Sequence, residues 1–306
     1  MKICPPPEIC PVCLKTSEFN FLRLYAFKDS SFSLYECSGC EAQFWLPFKN
    51  PGAEWYEEQE NYRLKEPKIY RGYHKMFLKS HPSFAKGTRV LDVGCGTGEL
   101  LGELHKRGCE VWGVDADKRD IETARKYFGL RNLYAMPLGD FFRKPELPLF
   151  DIVTFFEVLE HLDDPLEFIR NVKKILKPGG RIVLSVPSRD RMLVNLYEWD
   201  FPPYHLSRWN ESAIRKLFER INFKPDYINY ADAKMHFLEL FYSLLKNRPP
   251  RRRLNRLIGT RLECYIFVLL PALILWFAGV VSRPVTKIRN GVIVVELILQ
   301  ERKEEI

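Results

Sequence analysis

Two constellations in this chain have residue types and spacings that could do chemistry. The first is a set of cysteines. Of the eight, at 4, 10, 13, 37, 40, 95, 109 and 264, four form two Cys-x-x-Cys pairs, CPVC at 10–13 and CSGC at 37–40. Each pair folds as a tight knuckle that turns two thiolates to one side, and two knuckles brought together make a tetrahedral cage. Cys10, Cys13, Cys37 and Cys40 are therefore read as zinc ligands. Four thiolates leave no open position for a substrate, so the metal would be structural. Disulfides are the rival pairing; a reducing cytosol and the paired spacing argue against them. Cys4, Cys109 and Cys264 read as ordinary small residues.

The second constellation runs from 92 to 205. DVGCGTG places Gly94, Gly96 and Gly98 just after Asp92, and a second acid, Asp115, follows 21 residues after Gly94. Glycines let backbone approach a ligand closely, and an acid at the end of a second strand can hold both hydroxyls of a ribose. An adenosine-type cofactor is expected. Downstream, EVLEH sets Glu157, Glu160 and His161 at i, i+3 and i+4, on one face if helical. His205, in FPPYHLSRWN, is a second imidazole 44 residues later.

The elements that must position these groups follow from patterning. RVLDV, the glycine turn and ELLGELHKRG read as strand, turn and helix. EVWGVD and ADKRDIETARKYFG repeat the unit, which begins a doubly wound α/β sheet. The segment FNFLRLYAFKDSSFSLYEC between the cysteine pairs reads as short strands. A knuckle of about 45 residues has too little core alone, so its ion would supply much of its folding free energy. The stretch from Trp45 to Ser80, rich in Tyr and Trp, reads as a linker followed by a helix that walls a cleft.

VLDVGCGTG resembles the first motif of class I S-adenosylmethionine-dependent methyltransferases. VDAD at 114–117, GD at 139–140, FDIVTFFEVLEHLDDP at 150–165 and LKPGGRIVLSVP at 176–187 continue that pattern in order. The resemblance covers about residues 60–231 and the last strand. It implies a Rossmann-like seven-stranded α/β sheet with S-adenosylmethionine as cofactor. By it Asp115 would bind ribose, Asp140 would approach the adenine amine, and Gly94 and Gly96 would line the methionine moiety with Asp92 beneath. A Rossmann fold that has lost its ligand is the plain alternative. EVLEH is similar to a string in ubiquinone-pathway and small-RNA O-methyltransferases, where two Glu and a His hold a divalent cation. Glu157, Glu160 and His161 would suit Mg²⁺ with waters completing its shell. Otherwise His161 would be a lone general base or a capping residue. Methyl transfer from a sulfonium needs alignment and removal of an acceptor proton rather than a covalent nucleophile, so His161, Glu160 and His205 are the catalytic candidates.

Composition bounds the rest. The 306 residues carry 47 Lys+Arg against 39 Asp+Glu, net +8, with 46% hydrophobic residues, which is enough for a sizeable core and excludes a mainly disordered chain. MKICPPPEIC lacks the apolar run of a signal peptide, so the chain is expected in the cytosol. Residues 248–261 hold six Arg and no acid, beside an uncharged apolar run at 264–281. That pairing points to an anionic membrane surface more than to nucleic acid. The run falls between the sixth and seventh strands of the expected sheet, whose ends must meet, so a single crossing is excluded. It lies in the interface, dips in as a hairpin, or packs on protein, including a homodimer partner.

The expected organisation is a zinc knuckle at 1–50, a linker and helical wall at 51–88, an S-adenosylmethionine-binding α/β domain at 89–231, an apolar and basic helical insertion at 232–290, and a final strand and charged tail at 291–306. Together these features resemble methyltransferases that accompany surface-glycan synthesis, which makes a glycan or lipid-linked saccharide the expected acceptor, methylated on oxygen. Two alternatives stay open. One is RNA methylation, against which EWYEEQE at 54–60 is acidic rather than Lys-rich. The other is a non-catalytic zinc-ribbon or cofactor-binding interaction protein.

Overall fold

The structure is a computed structural model that describes residues 3–52, 55, 71–190, 200–230 and 292–300. The basic and apolar insertion, Cys264 and the acidic stretch at 56–60 lie outside the described residues. Among the described residues, no helix is long and apolar enough to cross a membrane.

Seven strands form the main sheet: β4 (Arg89–Val93), β5 (Glu110–Asp115), β6 (Asn132–Ala135), β7 (Phe150–Phe156), β8 (Leu176–Pro187), β10 (Phe223–Tyr230) and β11 (Val292–Leu299). Their order is β10-β11-β8-β7-β4-β5-β6. The pairs β8-β7, β7-β4, β4-β5 and β5-β6 are parallel, while β11 runs antiparallel to both neighbours. The expected doubly wound seven-stranded sheet, with an antiparallel final strand beside the sixth, is thus present. Its order reverses where β4 and β7 diverge, the place where open α/β sheets bind ligands at their carboxyl ends.

Strand residues alternate between two cores. Leu91, Val153, Leu184 and Val295 pack on one face with Phe168, Ile214 and Leu217. Val90, Ile152, Val183 and Val294 pack on the other with Phe77, Leu101 and Ile121. Both faces of the sheet are covered, as a largely parallel sheet requires. The covering helices are α1 (Gly72–Ser80), α2 (Glu99–Lys106), α3 (Lys118–Phe128), the short α4 (Leu138–Phe142), α5 (Pro165–Lys174) and α6 (Glu211–Glu219). Local chemistry sets several of their starts: Asp117, Asp164 and Asn210 each accept a first-turn amide, and Pro165 opens α5.

The segment between the cysteine pairs forms the expected strands, β1 (Phe19–Phe27) and β2 (Ser30–Cys37), an antiparallel hairpin. β3 (Gln43–Leu46) pairs with β2 and also with β9 (Ser207–Arg208), which follows His205. The knuckle thus shares a four-stranded sheet with the segment that follows His205. It shares a core too: Cys10, Cys37 and Phe44 lie in one apolar cluster with Trp209, Ala213 and Leu217.

Candidate functional site

The glycine turn sits at the carboxyl end of β4. Gly94 has φ +70, and a Cβ there would lie 2.7 Å from Val158 Cγ2, so only glycine lets the turn approach the segment after β7 this closely. Gly98, with φ +80, caps α2, where a Cβ would lie 2.7 Å from the Ala124 Cβ. Asp115, at the end of β5, holds the turn from the side: its two carboxylate oxygens accept from Gly96 N and Asp117 N, each at 2.9 Å.

Acids crowd this turn. Asp92 is buried and accepts from Thr154 Oγ1 at 2.6 Å. Burial raises its carboxyl to about 7; Thr154 opposes that rise, and the Asp115 and Glu99 charges add to it. Asp120 is also raised to about 7, by burial and then by Asp115. Asp115 itself is raised by burial, against the two amide hydrogen bonds. Acids that repel one another beside a glycine turn fit a cationic ligand, and S-adenosylmethionine brings both a sulfonium and an ammonium. Asp140 stands apart, exposed in the first turn of α4 and ion-paired with Arg143.

α1 sets two aromatic side chains against the end of β7, in a segment that sequence patterning located only as a helix. Tyr73 is buried and stacks on Phe156 at 5.3 Å and 13°, and the His74 ring meets the same phenyl edge-on at 5.1 Å. Burial, then the Arg71 charge, lowers the His74 imidazole to about 3. Nothing in the spacing of these aromatics distinguished them from ordinary core.

EVLEH does not form the helical face its spacing allows. β7 ends at Phe156, and Glu157 reverses the chain with φ +57 while its N donates to Ser185 O at 3.0 Å. Only Leu159–His161 coil, as a single 3₁₀ turn. Glu157 accepts from Ser185 Oγ at 2.9 Å. The donors that converge instead are Glu160, His161 and His205, whose ligand atoms lie within 4.8 Å of one another. The expected trio of Glu157, Glu160 and His161 is therefore corrected: the left-handed turn separates Glu157, and the loop over the sheet edge brings in His205.

The two imidazoles meet edge-on at 4.7 Å. His161 Nδ1 lies 2.6 Å from the Tyr204 carbonyl oxygen. A carbonyl only accepts, so Nδ1 carries the proton and Nε2 keeps its lone pair. Burial, then His205, lowers His161 to about 3, against the Tyr204 hydrogen bond; the ring is neutral at physiological pH. His205 lies between two carboxylates, with Nδ1 3.6 Å from Asp200 Oδ1 and Nε2 3.9 Å from Glu160 Oε1. Asp200 carried no signal in the sequence.

The four cysteines of the knuckles also converge, buried, with Sγ atoms within 4.8 Å of one another. Cys10 and Cys40 Sγ lie 3.8 Å apart, far beyond a disulfide bond. Both knuckles are built alike: Leu14 N donates to Cys10 O and Glu41 N to Cys37 O, each at 2.8 Å, and Leu14 and Glu41 take positive φ. The thiols press on one another. Hydrogen bonds from Cys10 and Cys40 pull Cys13 down to about 2, while Cys10 is pushed up to about 12 and Cys40 also rises. This donor set, all sulfur and tetrahedral in count, fits Zn²⁺.

A cleft of about 700 Å³ opens at the opposite, amino edge of the sheet. Its charged lining is already paired: Lys177 with Asp151 at 2.7 Å, and Arg181 with Glu296 at 2.5 Å and Asp226 at 3.0 Å. It lies away from the glycine turn and both imidazoles.

Comparison with known proteins agrees with the geometry. A methyltransferase domain profile matches residues 56–228. The ubiquinone biosynthesis O-methyltransferase of Vibrio cholerae serotype O1 is 36% identical over 107 residues, 34% of this chain and 44% of that protein. The protein of the same name from Idiomarina loihiensis is 35% identical over 117 residues, 37% of this chain and 48% of that protein. The matched stretch spans less than half the length of these relatives. A chain from the Haloferax volcanii complex of the Trm112 methyltransferase activator superposes with a TM-score of 0.52 at 16% identity, covering 83% of this chain and 99% of that one; at that identity the likeness concerns the fold. With a profile match over more than half its length and the strand order described above, the chain belongs to the methyltransferase domain family.

Proposed function

We propose that the chain methylates a hydroxyl oxygen of a glycan or lipid-linked saccharide at a membrane surface. The observation that carries oxygen as the acceptor atom is the fixed tautomer of His161, whose Nδ1 proton is held by the Tyr204 carbonyl, which makes Nε2 the accepting nitrogen of the ring. S-adenosylmethionine, when bound, supplies an electrophilic methyl on a cationic sulfur. Asp115 would hold the ribose hydroxyls, Gly94 and Gly96 would line the methionine moiety over Asp92, and Asp140 would reach the adenine amine. Tyr73 and Phe156 would exclude water from the cleft. His161 Nε2 would take the acceptor proton as the new C–O bond forms and the methyl–sulfur bond breaks to leave S-adenosylhomocysteine, and the Glu160 carboxylate, within 4.8 Å, would offset the charge left on the ring. The relatives named ubiquinone biosynthesis O-methyltransferases support an oxygen acceptor.

A second reading of the imidazoles is favoured by their geometry: Glu160, His161 and His205 form a donor set for a divalent cation that would bind the acceptor hydroxyls. The two imidazoles favour Mn²⁺ or Zn²⁺ over Mg²⁺. Knuckle zinc would remain structural. The acceptor class rests on the Arg-rich run at 248–261 beside the apolar run at 264–281, which suits attachment to the cytoplasmic face of a membrane. Incubating cell-envelope and RNA fractions with methyl-labelled S-adenosylmethionine tests it: label in an alkali-stable ether of the envelope fraction is expected, and label in RNA alone rejects the proposal.

A further inference from the structure

We infer that the N-terminal knuckle is a positioning element for the acceptor side of the cleft, and that Asn50 is its positioning residue for His161. The inference rests on the reading of Glu160, His161 and His205 as the acceptor side. Two lines of hydrogen bonds run from the knuckle to these residues and reach both imidazole-bearing segments.

The first line is backbone. β3 pairs with β9 through Gln43 with Arg208 and Phe44 with Ser207. Trp45 N then donates to Leu206 O at 2.9 Å, and Leu206 N donates to Glu160 O at 2.8 Å. Leu206 follows His205, and Tyr204, just before it, accepts the His161 Nδ1 proton. The segment 204–206 is thus joined to β3 on one side and to the Glu160–His161 turn on the other. The second line is a side chain. Asn50, past the end of β3, donates from Nδ2 to His161 O at 2.7 Å. Its Oδ1 accepts from Gly52 N at 2.8 Å, which fixes which way the amide faces.

The far end of the knuckle is anchored as firmly. Arg220 Nη1 donates to Cys13 O at 2.7 Å, Lys216 pairs with Glu41 at 2.5 Å, and Arg189 pairs with Glu36 at 2.8 Å and donates to Glu41 O. Arg189 N in turn donates to Trp209 O at 2.7 Å. The knuckle spans from α6 to the two histidines as one hydrogen-bonded piece, whereas Asp115 and the glycine turn are held by β4 and β5 without it. A disturbance at Asn50 should therefore be felt at His161 and His205, not at the cofactor side. A hydrogen bond to the His161 carbonyl places that residue's backbone, and thereby where Nε2 points; positions this close to a reacting atom tolerate displacements well below 1 Å.

The test uses the full chain labelled with ¹⁵N at its six histidines, with Asn50→Ala, which removes the donor without adding a charge, and Asn50→Leu, of similar volume, as a second variant if the first does not fold. Phe84→Ala, at the amino edge beside Phe77, serves as a variant that weakens packing elsewhere. Expected for the Asn50 variant is a shift of the His161 ring resonances away from the fixed Nδ1-protonated tautomer, with affinity for S-adenosylhomocysteine unchanged within about twofold; Phe84→Ala leaves the His161 resonances in place. Unmoved His161 resonances in the Asn50 variant, or an equal shift in Phe84→Ala, overturn the inference. Wild-type protein that binds no S-adenosylhomocysteine would instead sink the cofactor reading, so the two failures are distinguishable.

Discussion

The acids around the glycine turn make a measurable statement about charge. With its carboxyl raised to about 7, Asp92 is ionised in roughly one molecule in eleven at pH 6 and ten in eleven at pH 8. S-adenosylmethionine and S-adenosylhomocysteine share the ribose, the adenine and the amino-acid end, and differ in the positive sulfur. If the sulfonium is held well only over ionised Asp92, its apparent dissociation constant divides by that fraction. Affinity for S-adenosylmethionine should then rise about tenfold from pH 6 to pH 8, with a much smaller change for S-adenosylhomocysteine. Titration calorimetry with each ligand across that range, on wild type and on Asp92→Asn, is the assay. The variant should lose the difference between the two slopes. Parallel slopes for the two ligands in wild type would refute the reasoning, because they would mean that the buried acids do not face the sulfur.

Other outcomes are expected from the same geometry. Asp92 holds its proton in the folded state up to about pH 7 but only to an ordinary carboxyl pKa of 3.8 when unfolded; the folded state binds more protons at this site between those values, so the stability of wild type relative to Asp92→Asn should fall as pH rises from about 4 through 7. Thermal melting of both proteins across that range checks it, and a difference in melting temperature that does not change with pH would contradict it. Asp115→Ala removes the carboxylate proposed to hold ribose and frees two amides; S-adenosylhomocysteine affinity should drop by about 1 to 3 kcal/mol, and an unchanged calorimetric constant rejects that placement. Purified protein should contain one zinc per chain by elemental analysis, lost together with folding of the knuckle on strong chelation, and a metal-free folded preparation contradicts the cage. Replacing 248–290 by a short turn should release the protein from anionic vesicles while cofactor affinity is kept, and equal pelleting of both forms removes the membrane proposal.

Much of the fold is legible in local patterning because its units are local. A strand, a glycine turn and a helix are adjacent in the chain around Gly94, and the two Cys-x-x-Cys knuckles each fold within five residues. The order of the sheet follows once Asp115 and LKPGGRIVLSVP are placed, since parallel crossovers allow few topologies. What sequence could not show is contact between distant short segments. β9 is two residues long, too short for any periodicity, yet it ties the knuckle to the loop of His205. Asn50 lies in a stretch without regular structure, and its partner His161 is 111 residues away. EVLEH has helical spacing, but the end of β7 forces Glu157 into a left-handed turn, so tertiary placement overrides the local pattern and substitutes His205 for Glu157.

The most direct measurement is a crystal structure of the chain with S-adenosylhomocysteine bound. Expected are the ribose hydroxyls on the Asp115 carboxylate, the homocysteine along Gly94 and Gly96, and the sulfur on the side of the sheet edge that carries His161. A nucleoside lodged elsewhere, or a glycine turn closed over by side chains with no density for the ligand, would contradict the cofactor site and the methyl transfer built on it.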